Sequence, residues 1–172
     1  MEMVVLVDEL DREVGTMEKM EAHRLGRLHR AFSILLFNRK GELLIQKRAN
    51  TKYHSAGLWT NTCCSHPRPD EPMEKAIRRK LLHEMGIEAH PAYSHKFIYK
   101  TTVGELIENE LDHIFTGKFD GEPVINAEEV EDWKYISVPN LILDIQAHPE
   151  KYTYWFKLIV KHKEFESMSL NS

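Results

Sequence analysis

The chain has 172 residues, 23 of them Lys or Arg and 27 Asp or Glu, for a formal net charge of −4. Hydrophobic residues make up 42% and charged residues 29%, an ordinary globular balance that, without a basic stripe, excludes a dedicated nucleic-acid or anionic-membrane binder. No apolar run reaches the ~18 residues of a helical membrane span, and the two cysteines, Cys63 and Cys64, are neighbours, which excludes a disulfide scaffold and points to a reducing compartment.

Residues 2–7 are rich in Val and alternate weakly, which predicts a first strand; they lack the basic flank and long apolar core of a secretory leader, so a cytoplasmic protein is expected. The apolar run 31–37, a Gly-ending turn at 38–41 and the run 42–46 predict a β-hairpin. Residues 58–64 are β-branched and aromatic, a further strand, after which Pro67, Pro69 and Pro72 force a loop. From 72 to 85 the stripe of Ala76, Ile77, Leu81 and Leu82 predicts a helix, with Gly86 at its C-cap. Strands are predicted at 93–102 and 107–117 around Gly104, and at 133–138. A helix follows over 139–146, and Pro149 starts a last one running to about Lys163. No repeat or linker divides the chain, so one domain over 1–172 is expected, an α/β or α+β sandwich rather than a doubly wound sheet.

Three constellations can carry chemistry. Cys64 and His66 are two apart at the end of a predicted strand and can share one pocket wall; equally, Cys64 is a buried structural cysteine beside a loop histidine. Glu108 and Glu110 repeat that spacing among Ile107, Leu111, Ile114 and Phe115. A metal ion relieves their repulsion, and so does an edge strand facing water. His23 and His29 are six residues apart, a poor helical spacing, but a loop through Gly26 can turn both inward; taken singly, each reads as a surface or satisfied histidine. Three histidines and two glutamates form a nitrogen-and-oxygen donor set suited to Mg²⁺, Mn²⁺ or Zn²⁺.

Residues 65–87 are similar to a degraded Nudix box. Glu71 and Arg79 keep its eight-residue spacing, Glu84 its last acidic position, and Gly86-Ile87 its close, while Ser65, Lys80 and His83 replace a Gly and two acidic residues. Lys80 puts a cation where a metal ligand belongs, which compromises water activation; otherwise Lys80 and Glu84 form an ordinary i,i+4 pair. Leu28-His29-Arg30-Ala31-Phe32-Ser33, the run Trp59-Thr60-Asn61-Thr62-Cys63-Cys64-Ser65-His66-Pro67 and Glu108-Asn109-Glu110, with this box, closely resemble type I isopentenyl-diphosphate isomerase, a Nudix relative, over about 4–161.

The resemblance implies an α+β fold, a Nudix-type α/β/α sandwich whose mixed sheet is flanked by helices. It implies conversion of isopentenyl diphosphate to dimethylallyl diphosphate by protonation and deprotonation through a tertiary carbocation, in isoprenoid biosynthesis. Cys64 and Glu110 would be the acid–base pair, with Tyr99 a candidate relay. His23, His29, His66, Glu108 and Glu110 would hold one divalent ion, Mn²⁺, Zn²⁺ or Mg²⁺; a Mg²⁺ would bridge Glu84 and the diphosphate near the Cys64 carbonyl. Lys19, Arg48, Lys52 and Lys80 match diphosphate-binding cations, and Trp155 a cation-shielding indole. Without the resemblance, Tyr99 is a strand aromatic, Trp155 a core residue and the four basic residues solvated charges. Tyr154 and Ala56 stand where the family often has Pro. The remaining six of the ten histidines, set apart from His23, His29, His66 and His83, are expected at the surface. The expected partner is the small-molecule substrate, without nucleic acid or membrane, on a monomer or weak homodimer; a Nudix hydrolase and a silent metal-binding module are the alternatives.

Overall fold

The computed structural model describes residues 1–170. In chain order its elements are β1 (Met3–Val7), β2 (Glu13–Glu18), α1 (Lys19–Leu25), β3 (His29–Phe37), β4 (Glu42–Arg48), β5 (Trp59–Thr60), β6 (Cys63–Ser65), α2 (Met73–Met85), β7 (Ala92–Val103), β8 (Leu106–Lys118), β9 (Val130–Ser137), α3 (Val138–Ala147), a 3-10 turn (Pro149–Lys151), α4 (Tyr154–Lys161) and α5 (Lys163–Leu170).

Every side chain of β3 except Arg30 is buried, because its residues are apolar at both parities and both faces are covered. β8 runs parallel to it along its whole length, and β7 pairs antiparallel outside β8. The other edge of β3 is shared by three antiparallel partners: Leu6 of β1 faces His29, Cys64 of β6 faces Ser33, and Leu43 of β4 faces Phe37. β9 and β5 extend the sheet from β4, and β2 extends it from β1. The result is a nine-stranded mixed sheet with helices on both faces, the α+β sandwich that the resemblance implies. Leu35 and Phe37 of β3 pack with Leu141, Trp155, Phe156 and Phe165 from α3, α4 and α5. Phe32, Ile34 and Leu36 pack with Ala76, Ile77, Leu81 and Met85 of α2. Among the described residues no helix is long and apolar enough to cross a membrane.

The single strand predicted at 58–64 is two short ones. Asn61 Nδ2 donates to the carbonyls of Ile34 (3.2 Å) and Cys63 (2.8 Å), and Thr62 Oγ1 donates to Leu44 O (2.6 Å) while accepting from Leu36 N (3.0 Å). These side chains replace ladder bonds between β3 and β4, which splay beyond their turn. The segment therefore pairs first with β4 and then with β3, and this places Cys64 and His66. The helix predicted from Pro149 is likewise three pieces. It breaks at Thr153, whose amide donates to Trp59 O (3.0 Å) and whose hydroxyl accepts from Phe156 N (3.4 Å) to cap α4. α1 stands where a loop is predicted: Glu18 caps its start, Gly26 ends it at φ 64°, and it carries His23. β2 carries no apolar face to betray it and forms by pairing with β1.

Gly86 ends α2 at φ 62°, and a Cβ there would sit 2.7 Å from the Val124 carbonyl oxygen. The approach is needed, because the passing segment donates Val124 N to Met85 O (2.9 Å) and Asn126 N to Glu84 O (3.0 Å). Gly86→Ala is therefore expected to destabilise the fold by at least ~2 kcal/mol in urea unfolding, from left-handed strain plus the clash; a loss below half of that would contradict the packing described.

Candidate active site

Alternation along β8 puts Glu108, Glu110 and Asp112 on one face, and all three are buried. The registers on either side decide their neighbours: Glu110 lies between His29 of β3 and Tyr99 of β7, and Glu108 lies opposite Thr101. β6 adds Cys64, α1 adds His23, and the loop after β6 adds His66. That loop is held by the pair the box retains: Arg79 donates twice to Glu71, at 2.8 Å each, and reaches the His66 carbonyl at 3.4 Å.

His23 Nδ1 lies 2.7 Å from Lys19 O and His29 Nδ1 lies 2.9 Å from Arg27 O. A carbonyl only accepts, so both rings carry their proton on Nδ1 and point an Nε2 lone pair inward. Both Nε2 atoms are buried without a hydrogen-bond partner among the described residues. Glu110 Oε1 lies 2.9 Å from His66 Nε2, 3.3 Å from His29 Nε2 and 3.9 Å from His23 Nε2. Ligand atoms of these four residues all fall within 4.8 Å of one another. Buried, orphaned, pre-oriented nitrogen lone pairs around a carboxylate are what a divalent ion satisfies, so the donor set fits a metal. Burial pushes His23 down to about 4, the neutral ligand form, and lowers His66 as well. Burial acts to raise Glu110, yet His66 and His29 hold it well below the usual carboxylate range.

Tyr99 donates its hydroxyl between Glu110 Oε2 (2.9 Å) and Glu108 Oε2 (3.1 Å). Burial and the two carboxylates push its pKa well up, so it stays a phenol. The adjacent cysteines part: Cys63 Sγ donates to Glu84 Oε2 (3.2 Å) in the layer against α2, whereas Cys64 lines the cleft. Burial pushes the Cys64 thiol up to about 12, against the opposing pull of Arg48.

These residues open on a cleft of about 600 Å³ including its mouth. Cys64, His66, Glu84, Tyr99, Glu108 and Glu110 line it, and so do Lys19, Arg48, Lys52, Lys80 and Trp155. His23 and His29 stand fully buried behind it. Three of its cations are paired: Lys19 with Glu2 (2.6 Å), Lys80 with Glu84 (3.3 Å), and Lys52 with Glu129. Arg48 differs. It is 7% exposed, meets no carboxylate among the described residues, and donates Nη2 to the His54 carbonyl (3.2 Å). Its Nε has no hydrogen-bond partner among the described residues, and its guanidinium lies 5.3 Å from the centre of the Trp155 ring.

Residues 27–156 match the family model described as NUDIX domain. Over 88% of this chain and 81% of its own length, the isopentenyl-diphosphate Delta-isomerase 2 of Aromatoleum aromaticum is 49% identical. The isopentenyl-diphosphate Delta-isomerase 2 of Photorhabdus laumondii subsp. laumondii is 48% identical over 97% of this chain and 95% of its own. This chain belongs to the isopentenyl-diphosphate Delta-isomerase family. The fold is also that of more distant solved structures: the protein DR0079 of Deinococcus radiodurans superposes with a TM-score of 0.75 at 21% identity, over 92% of this chain and 97% of that one. A MutT protein from Methanosarcina mazei gives 0.65 at 18% identity, over 84% and 94%.

Of the five ligands that the family resemblance implies for one ion, the structure gathers His23, His29, His66 and Glu110. Glu108 falls in an adjoining group with His23 and His54. Neither the Cys64 thiol nor Glu84 belongs to either group. His54 corrects the expectation that the remaining histidines lie at the surface: it is 8% exposed, with Nε2 2.7 Å from Glu108 Oε1. No spacing in the sequence announces it, because its partner lies on a distant strand and the loop between β4 and β5 brings it there. His83 is exposed on α2's last turn, near Glu129 (3.6 Å).

With Cys64 pushed to about 12, iodoacetamide at pH 8 should alkylate it roughly a thousandfold more slowly than free cysteine, gaining about tenfold per pH unit above that. Peptide mass spectrometry reads the rate, and labelling at the free-thiol rate would contradict the burial described.

Proposed function

We propose that this protein interconverts isopentenyl and dimethylallyl diphosphate through the residues of this cleft. The observation that supports the reading is one cavity lined by two proton carriers, Cys64 and the Tyr99–Glu110 pair, and by a buried arginine without a carboxylate among the described residues. The reaction adds a proton to C4 of the alkene, forms a tertiary cation at C3 and removes a proton from C2, so it needs two proton-handling groups and no water.

Each part of the cleft answers one demand. Arg48, and the lysines once released from their carboxylates, bind the diphosphate. Cys64 in its thiol form and Glu110 in its carboxylate form are respectively able to give and to take a proton, and Tyr99 holds Glu110 oriented toward the cleft. The Trp155 indole walls the cavity, excludes water and offers a face to a nearby cation. Lys80, 3.3 Å from Glu84, leaves α2 short of the carboxylate cluster that activates water in a hydrolase, so a diphosphate can be held without being cleaved.

His23, His29, His66 and Glu110 would hold a divalent ion, and three imidazoles favour Zn²⁺ or Mn²⁺ over Mg²⁺ there. Glu84, with Oε1 facing Lys80, would hold a Mg²⁺ against the diphosphate. Bound ions would supply positive charge to the substrate's anionic end and to Glu110. A free catalytic thiol fits a reducing cytoplasm.

Turnover in deuterated water should place deuterium in a methyl group of dimethylallyl diphosphate and release no phosphate. Phosphate release without labelled allylic product would establish a hydrolase instead. Cys64→Ala should lower kcat by at least ~100-fold, the usual share of a positioned acid or base. A silent module would lose nothing. Removal of divalent ions by a chelator should abolish turnover and lower the melting temperature, since the buried Glu110 and its histidines lose their common partner; full activity after chelation would sink the ligand assignment.

A further inference from the structure

His54 has no task in the reaction as described, yet it is buried in the cleft beside the carboxylates. Its Nε2 lies 2.7 Å from Glu108 Oε1, and its ring is fixed from several sides. The Tyr53 ring packs against it edge-on at 4.3 Å, the Trp155 ring at 5.8 Å, and its own carbonyl is held by Arg48. Ser55, next in the chain, sits in the left-handed region at φ 50° and offers its hydroxyl to His54 Nδ1 at 3.2 Å.

The distances place His23 within reach of two groups, one with His29, His66 and Glu110, the other with His54 and Glu108. An imidazole nitrogen has one lone pair, so His23 Nε2 can serve one ion. The group with four donors keeps it, which leaves His54 and Glu108 as each other's partner. An ionised carboxylate only accepts, so the proton of that bond lies on His54 Nε2, and the Ser55 hydroxyl can donate to Nδ1. This polarity is the reverse of His23 and His29, whose Nδ1–H bonds leave Nε2 as the lone pair. His66 Nε2 makes the same kind of contact with Glu110 Oε1 (2.9 Å), but inside the four-donor group, where a bound ion would take the place of its proton; His54 lies outside that group, keeps its proton and donates.

We propose that His54 is a positioning residue: it fixes Glu108 through Oε1, so that this carboxylate presents Oε2 to Tyr99 and stands in a set orientation beside the ion held by Glu110. The chain Ser55–His54–Glu108–Tyr99–Glu110 then runs unbroken from the loop that bears Lys52 to the proton-handling carboxylate. The kinetic part of this inference rests on the isomerase reading; the metal part does not.

His54→Gln carries an N–H that reaches the position of Nε2, His54→Asn one that stops at the position of Nδ1, and His54→Leu none. All three are purified, checked for folding by circular dichroism, assayed for isomerisation, and titrated after chelation with Zn²⁺ against a chromophoric chelator. For Leu and Asn, kcat should fall and the Zn²⁺ dissociation constant rise by about 10–100-fold, the usual cost of losing an outer partner of a metal site, with KM within about threefold. Gln should regain both to within about fivefold. Should Leu not fold, Asn against Gln decides. Unchanged Zn²⁺ affinity in Asn overturns the proposal, and so does a Gln variant as impaired as Asn, which would mark His54 as a ligand. A parent protein without isomerase activity would sink the functional reading alone, and the Zn²⁺ titrations would still judge His54.

Discussion

Three carboxylates stacked along one buried face of a single strand are the constraint around which the rest of the molecule is arranged. Glu108, Glu110 and Asp112 are each nearly inaccessible, and ionised carboxylates two residues apart in an apolar interior repel unless each is compensated. The fold uses a different device for each. Glu110 is ringed by three imidazoles. Glu108 is gripped at both oxygens, by His54 and by Tyr99. Asp112 has no cation: burial and its two neighbours push its pKa well up, against the opposing hydrogen bond that Ser33 donates to it at 2.8 Å. Every strand next to β8, and the helix before β3, contributes one of these partners.

The partners reach that face because β3 and β4 do not stay paired. Asn61 and Thr62 take over the backbone groups that a continuous hairpin would satisfy, and β6 is threaded in beside Ser33. A continuous hairpin would leave no place for Cys64 on the side of the carboxylates. Three of the cleft's four cations are meanwhile paired with Glu2, Glu84 and Glu129, which leaves Arg48 as its cation without a carboxylate among the described residues.

Local chemistry made part of this visible in the sequence. Gly86 behind the stripe of α2 marks a helix end because only a residue free of Cβ fits there, and the turn at 38–41 announces itself through Gly41, whose φ of 76° is left-handed although a Cβ there would meet nothing. The period-2 spacings of Cys64 with His66 and of Glu108 with Glu110 place each pair on one wall. What was not legible depends on partners far along the chain. α1 is a seven-residue helix whose histidine spacing looks wrong until Gly26 reverses the chain. β2 is exposed at most positions and exists through β1. The division of labour between Glu108 and Glu110 follows from which residue of β3 and β7 lies opposite each, and His54 belongs to a loop whose course follows from the splaying of β4. The motif resemblance names residues that the fold brings to one cleft, but no motif includes His54, the histidine that Glu108 meets.

The parting of Cys63 and Cys64 across the two faces of β6 also bears on oxidative durability. A bond between neighbouring sulfurs requires both to lie on one side of a distorted peptide link. Here one thiol points into the layer against α2, where it is hydrogen-bonded to Glu84, and the other into the cleft. An oxidant that reaches the outer sulfur therefore finds no second thiol with which to close a ring unless β6 first leaves β3. The strand's own pleat insulates the two sulfurs from each other, and the price is that damage to the outer one has no resolving partner within the chain.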